Sequence, residues 1–177
     1  MALLDEQLVE EWLNRQNFFT MRGIKSGNDE IDLLAIRPTP EGIDYWHVEV
    51  QISYRPIGYI GGDKSARRRD QNELRLGVEQ WVAKKFTSPK KVKRRNEILP
   101  NANWKKFLVH GVLKDDAELT ILSQCGVELI PYKKVLEDLC SDKMGKSSSA
   151  ASGIIEMVNF LKSSEDMKNR SRTGAIT

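Results

Sequence analysis

The sequence predicts an α/β fold of the α+β mixed-sheet kind, a central β-sheet flanked by helices. Three observations carry this. Residues 3–16 repeat apolar side chains at helical spacing, three consecutive β-favouring segments between residues 17 and 53 are joined by short turns, and helices then alternate with strands. The chain has 177 residues, enough for one domain with a substantial core. No apolar run approaches the ~18–20 residues of a membrane span, so no membrane association is expected.

In the first helix Leu4, Leu8 and Trp12, with Val9 and Leu13, form one stripe, and Asp5 and Glu6 sit in the first turn, where the helix dipole favours acids. "NFFTMRGI" (17–24) is aromatic and β-favouring and reads as a strand. "KSGND" is a turn. "EIDLLAIR" is a second strand ending at Pro38, "PTPEG" another turn, and "IDYWHVEVQIS" a third strand, so residues 30–53 form a hairpin. The Gly-rich "YRPIGYIGGD" contains neither GxGxxG nor GxxxxGK[ST].

From about Lys64 to Phe86 the period is helical again, with Leu74, Val78, Trp81 and Val82 on one face. "TSPKKVKRRNEILPNAN" reads as an exposed basic connection. "WKKFLVHGVLK" is a fourth strand, "DDAELTILSQCG" a helix, "VELIPY" a fifth strand and "KKVLEDLC" a short helix. The order is αβββαβαβα. A domain over 1–142, a flexible linker over 143–153 and a short C-terminal helix with a tail over 154–177 are expected, because "KMGKSSSAASG" is small and polar.

Charge is segregated. Residues 1–62 hold 5 basic and 10 acidic side chains, residues 63–95 hold 12 basic and 4 acidic. An acidic segment followed by a basic one suits a metal site beside a polyanion-binding surface; the plain alternative is a solvated helix with ordinary surface lysines. Cys125 and Cys140 are far apart without metal-ligand spacing, and the acidic N-terminal stretch lacks the basic region of a secretion signal. Both features favour a cytoplasmic location.

"HVEVQIS" (47–53) is the most informative stretch. Period-two alternation puts Val48, Val50 and Ile52 on an apolar face and His47, Glu49, Gln51 and Ser53 on the other. Asp32, in the preceding strand, meets Glu49 if the two strands pair. Two carboxylates so close repel, and a divalent cation relieves them. Mg²⁺ takes one or two carboxylates with waters and phosphate oxygens, and Mn²⁺ is an alternative. Asp32 and Glu49 are therefore the candidate metal ligands, with the backbone carbonyl of Val50. Gln51 lies one pleat beyond Glu49, about 6.5–7 Å along the strand, and is the candidate for orienting water.

"GNDEIDLLAI" followed by "HVEVQIS" resembles the core of the PD-(D/E)XK nuclease superfamily, the restriction-endonuclease-like fold. That family's pattern is an aspartate in one strand and Glu-x-Lys in the next, after a helix that often carries a glutamate. Asp32 matches the aspartate, Glu49 the glutamate, Gln51 stands at the lysine position, and Glu6 matches the helix glutamate. The αβββαβ core order fits as well, over residues 3–131. The resemblance implies a Mg²⁺-dependent nuclease acting on DNA, with catalytic residues Asp32, Glu49, Gln51 and Glu6. Glutamine carries no charge, so either its amide suffices or a lysine elsewhere, such as Lys25 or Lys64, supplies the cation. His47 reads as a structural or solvent-facing histidine rather than a base.

The run "KSARRRD" places Lys64, Arg67, Arg68 and Arg69 at the expected start of the second helix, a candidate phosphate-binding surface. A homodimer would supply two sites for cutting both strands. The alternative function is a catalytically inactive, nuclease-like protein that binds nucleic acid, with Gln51 marking a decayed site.

Overall fold

The computed structural model describes residues 2–52, 60, 69–113, 115–141 and 151–160. Helix α1 (Ala2–Asn14) is followed by strands β1 (Phe19–Ser26), β2 (Asp29–Thr39) and β3 (Gly42–Gln51). The chain continues through α2 (Gln71–Val82), a π-helical turn (Ala83–Thr87), α3 (Pro89–Ile98), β4 (Lys105–His110), α4 (Ala117–Gln124), β5 (Val127–Pro131) and α5 (Tyr132–Leu139). Residues 151–160 are also helical.

The five strands form one sheet in chain order. β1, β2 and β3 are an antiparallel meander; β3, β4 and β5 run parallel. Gly27, at φ +67°, supplies the left-handed residue of the β1–β2 turn. A parallel pair cannot be joined by a tight turn, so β3 reaches β4 through the crossover α2–π-turn–α3. That crossover carries the basic part of the chain over the sheet.

The sheet is covered on both faces. On one, Leu8, Val9, Trp12 and Leu13 of α1 and Val135 and Leu139 of α5 pack on Leu33, Ala35, Val48, Phe107 and Val109. Trp12 donates its indole N–H to Asp138 at 3.0 Å, tying α1 to α5. On the other, Leu74, Val78 and Val82 of α2 meet Ile121 and Leu122 of α4 over Leu108. Each such fully buried aliphatic side chain contributes roughly 1.5–3 kcal/mol. Trp46, Val50 and Ile52 are half-buried against the α1 face, as the period-two pattern predicts.

Several boundaries differ from the sequence reading. β1 starts two residues later than expected, at Phe19. α2 begins at Gln71, because Asp70 and Glu73 form a reciprocal capping box that fixes the start there. The basic segment expected as an exposed connection is helix α3, opened by Pro89 at its first position, and it buries Lys91 and Arg95. Residues 151–153, expected in the linker, are helical. Ala151 and Ser152 are small enough to sit against α1, where Ser152 donates to Glu11 at 2.9 Å and accepts from Arg15 at 3.0 Å. The rest of the expected linker, residues 143–150, and the tail beyond 160 lie outside the described residues.

Among the described residues no helix is long and apolar enough to cross a membrane.

Candidate active site

The β2–β3 ladder runs from Thr39↔Gly42 to Leu33↔Val48. One step further, the same register sets Asp32 opposite Glu49. There the Asp32 side chain takes over from the backbone: its Oδ2 accepts the Val50 N–H at 2.8 Å. In an extended strand one residue's N–H and C=O point the same way. The Gln51 carbonyl accepts from Gly111 on the β4 side, so the Val50 carbonyl faces the β2 side, the side of Asp32. The sequence reading of Asp32, Glu49 and Val50 as neighbours therefore agrees with the geometry.

Glu49, on the polar face of the strand, is nonetheless fully buried, at 0% exposure. A buried carboxylate needs partners, and the crossover provides them. Lys85 donates to Oε2 at 2.6 Å, and Lys91 to Oε1 at 2.7 Å. His47 Nε2 is 2.9 Å from Oε1. Burial alone would raise the Glu49 pKa, but the His47 hydrogen bond and the charges of Lys85 and Lys91 outweigh it and hold the group at about 2.

Behind His47 lies Arg95, with Nη1 at 2.5 Å from Nδ1. Burial, reinforced by the Arg95 and Lys91 charges, drops the His47 pKa to about 4 against the pull of Glu49. Asp32 behaves oppositely to Glu49: burial, then the Glu49 charge, push its pKa up to about 7, offset in part by Lys85 and the Val50 N–H.

Local structure explains why these cations arrive here. The π-turn, with its wider i→i+5 pitch, carries Lys84 and Lys85 and ends the α2 direction. It buries Phe86 completely, edge-on to the His47 ring at 4.8 Å between centroids. Ser88 and Pro89 then start α3, whose Lys91 and Arg95, four residues apart, share the face turned to β3.

Beside Asp32 is a cavity of about 440 Å³ lined by Glu6, Asn28, Asp29, Glu30, Asp32, Lys84, Lys85 and Lys91. Glu6 reaches it from α1; burial and the Glu30 charge raise its pKa. The structure thus brings Glu6, Asp32 and Glu49 together, as expected. Gln51 is half-buried and does not line the cavity. Lys25, one of the lysines considered as a replacement cation, pairs with Glu30 on the β1–β2 hairpin and is 74% exposed.

Lys64, Arg67 and Arg68 lie outside the described residues; Arg69 is half-buried just before the Asp70 cap. Among the described residues no group of three or more His, Cys, Asp or Glu could by itself hold a metal ion. Lys85 and Lys91, which sequence reasoning missed, are the side chains that complete the site. The signal for Lys91 was the Ser-Pro helix start inside the basic run and its spacing of four from Arg95; Lys85, in the π-turn before that start, had none.

No protein-family model matches the chain, and no curated protein matches it. Among solved structures it is similar to one described as "Crystal Structure of Protein of Unknown Function AF1548". The identity is 13% and the TM-score 0.47, over 77% of this chain and 66% of that one. This chain spans about two thirds of that protein's length, and the description names no activity.

Proposed function

We propose that the protein is a Mg²⁺-dependent nuclease that hydrolyses DNA phosphodiester bonds, with a site of the PD-(D/E)XK type. In this reading Lys85, arriving from the π-turn, does what a lysine at position 51 would do. The observation that carries the proposal is Lys85 on Glu49 at 2.6 Å, at the open end of the β2–β3 ladder where Asp32 lies.

The donor set fits a hard divalent cation. Asp32 and Glu49 would hold it, with the Val50 carbonyl on the same side; burial, and then their mutual repulsion, raise the Asp32 pKa, and a cation would relieve that repulsion. When bound, the cation supplies charge to a phosphodiester oxygen and acidifies water. Lys85, whose side chain is 30% exposed, is the partner able to leave Glu49 Oε2 and donate to a phosphate oxygen or to the attacking water. Lys91, at 3%, stays as the fixed counter-charge of Oε1. Lys84 and Lys90 are exposed and carry no ion pair among the described residues, which suits them to phosphates on either side of the scissile bond.

A second reading has one observation in its favour. Both Glu49 oxygens already carry an ammonium group, as they would in a protein that binds nucleic acid through this cavity without cutting it. Calorimetric titration with Mn²⁺ separates the two. The nuclease reading expects binding that Asp32→Ala removes; no binding by the unaltered protein would leave the second reading standing.

A further inference from the structure

Two of the buried polar groups behind Glu49 have no part in the chemistry above: His47, 0% exposed, and Arg95. Their geometry fixes a proton. A guanidinium only donates, so Arg95 Nη1 at 2.5 Å makes His47 Nδ1 an acceptor. The ring proton of the neutral imidazole must then be on Nε2, the atom facing Glu49 Oε1. Oε1 is also taken by the buried Lys91, at 3% exposure, which leaves Oε2, whose partner Lys85 is part-exposed and displaceable, as the oxygen that can be freed. Phe86 packs edge-on against the imidazole.

We propose that His47, locked in the Nε2–H tautomer by Arg95, is a positioning residue: it clamps Glu49 Oε1 so that Oε2 is presented to a divalent cation. This rests on the reading of Glu49 as a cation ligand. The sequence made His47 a structural or solvent-facing histidine; neither a solvent-facing ring nor a simply packed one needs a buried arginine to set its tautomer. Groups that orient a metal ligand from behind typically carry a 10–100-fold effect on affinity.

The test has two parts. In metal-free protein, long-range ¹H–¹⁵N NMR of the imidazole nitrogens should show His47 as the Nε2–H tautomer; an Nδ1–H tautomer or a freely exchanging ring overturns the proposal, and this part needs no variant. Then Mn²⁺ affinity is measured for the unaltered protein, His47→Gln and His47→Phe, each checked for native folding by circular dichroism. Glutamine keeps an N–H donor at the reach of Nε2, so His47→Gln should bind within about threefold of the parent. Phenylalanine fills the ring volume without a donor, and His47→Phe should bind about 10–100-fold more weakly. Equal affinity in both folded variants overturns the positioning role while leaving the cation reading intact. If the unaltered protein binds no Mn²⁺, the cation reading fails and this proposal fails with it. If His47→Phe does not fold, His47→Gln binding at least tenfold more weakly than the parent would overturn the donor role.

Discussion

Lys85 Nζ lies 2.6 Å from Glu49 Oε2 although the two residues are 36 positions apart in the chain. Strand β3 supplies a carboxylate but, with Gln51, no cation of its own. The parallel β3–β4 pairing forces a crossover, and the crossover delivers the charge from the opposite side of the site. Fold topology and site electrostatics are therefore linked at this pair.

The two lysines on Glu49 should separate by function. Lys91 is nearly fully buried, and Lys91→Met leaves the carboxylate short of its interior partner. The expected loss is about 3–5 kcal/mol in urea unfolding. Lys85 is part-exposed, so Lys85→Met should cost well under half of that. Equal losses would contradict the division into a fixed and a displaceable cation.

Asp32 makes a pH prediction. Its folded pKa of about 7 lies above the ordinary 3.8, so the stability it contributes is complete below pH 4 and is lost as pH rises through 7. His47, depressed to about 4, works in the opposite direction between pH 4 and 6.5, which flattens the parent's curve in that window. Glu49, depressed to about 2, contributes stability above its ordinary pKa that is lost as pH falls towards 2. Asp32→Asn isolates the first effect: without added metal it should be more stable than the parent by on the order of 3 kcal/mol at pH 7.5, with the gap closing by pH 4. A gap independent of pH would show that Asp32 is not strained.

The sheet and the carboxylates were legible in the sequence because β-patterning is local. "HVEVQIS" alternates, and Asp32 interrupts an apolar strand where a lone charge would be costly. The cations were not legible. "TSPKKVKRRNEI" has too few apolar residues for a recognisable stripe, since two of the positions that face inward are Lys91 and Arg95. Their partners, Glu49 and His47, lie more than 40 residues earlier. The burial of Ala151 and Ser152 was hidden for a related reason: a small polar composition reads as linker until something packs on it.

Gln51 should matter little. Lys85 already brings a cation to Glu49 Oε2, so Gln51→Ala should change the cleavage rate by only a few-fold, and Gln51→Lys should not raise it. A loss of about 100-fold or more on Gln51→Ala would return the water-orienting role to the strand.

DNA contact should run through Lys84, at the cavity, and Lys90, on the same crossover, which are exposed and carry no ion pair among the described residues. Replacing Lys84 and Lys90 with alanine should make the plot of log affinity against log salt shallower by about 2 units, near 0.9 for each lost phosphate contact. Lys93 and Arg94 are paired with Glu97, and replacing them should change the slope less. An unchanged slope in the first variant would place the footprint elsewhere.

Cleavage itself is the most direct measurement. Duplex, branched and single-stranded DNA are incubated with the unaltered protein, Lys85→Met and Asp32→Ala, in Mg²⁺ or Mn²⁺. The proposed mechanism requires cutting of at least one substrate by the unaltered protein, none by Asp32→Ala, and a rate about 10²–10³-fold lower for folded Lys85→Met. No cutting of any substrate by the unaltered protein with either metal, or cutting by Lys85→Met at the parent's rate, would contradict it.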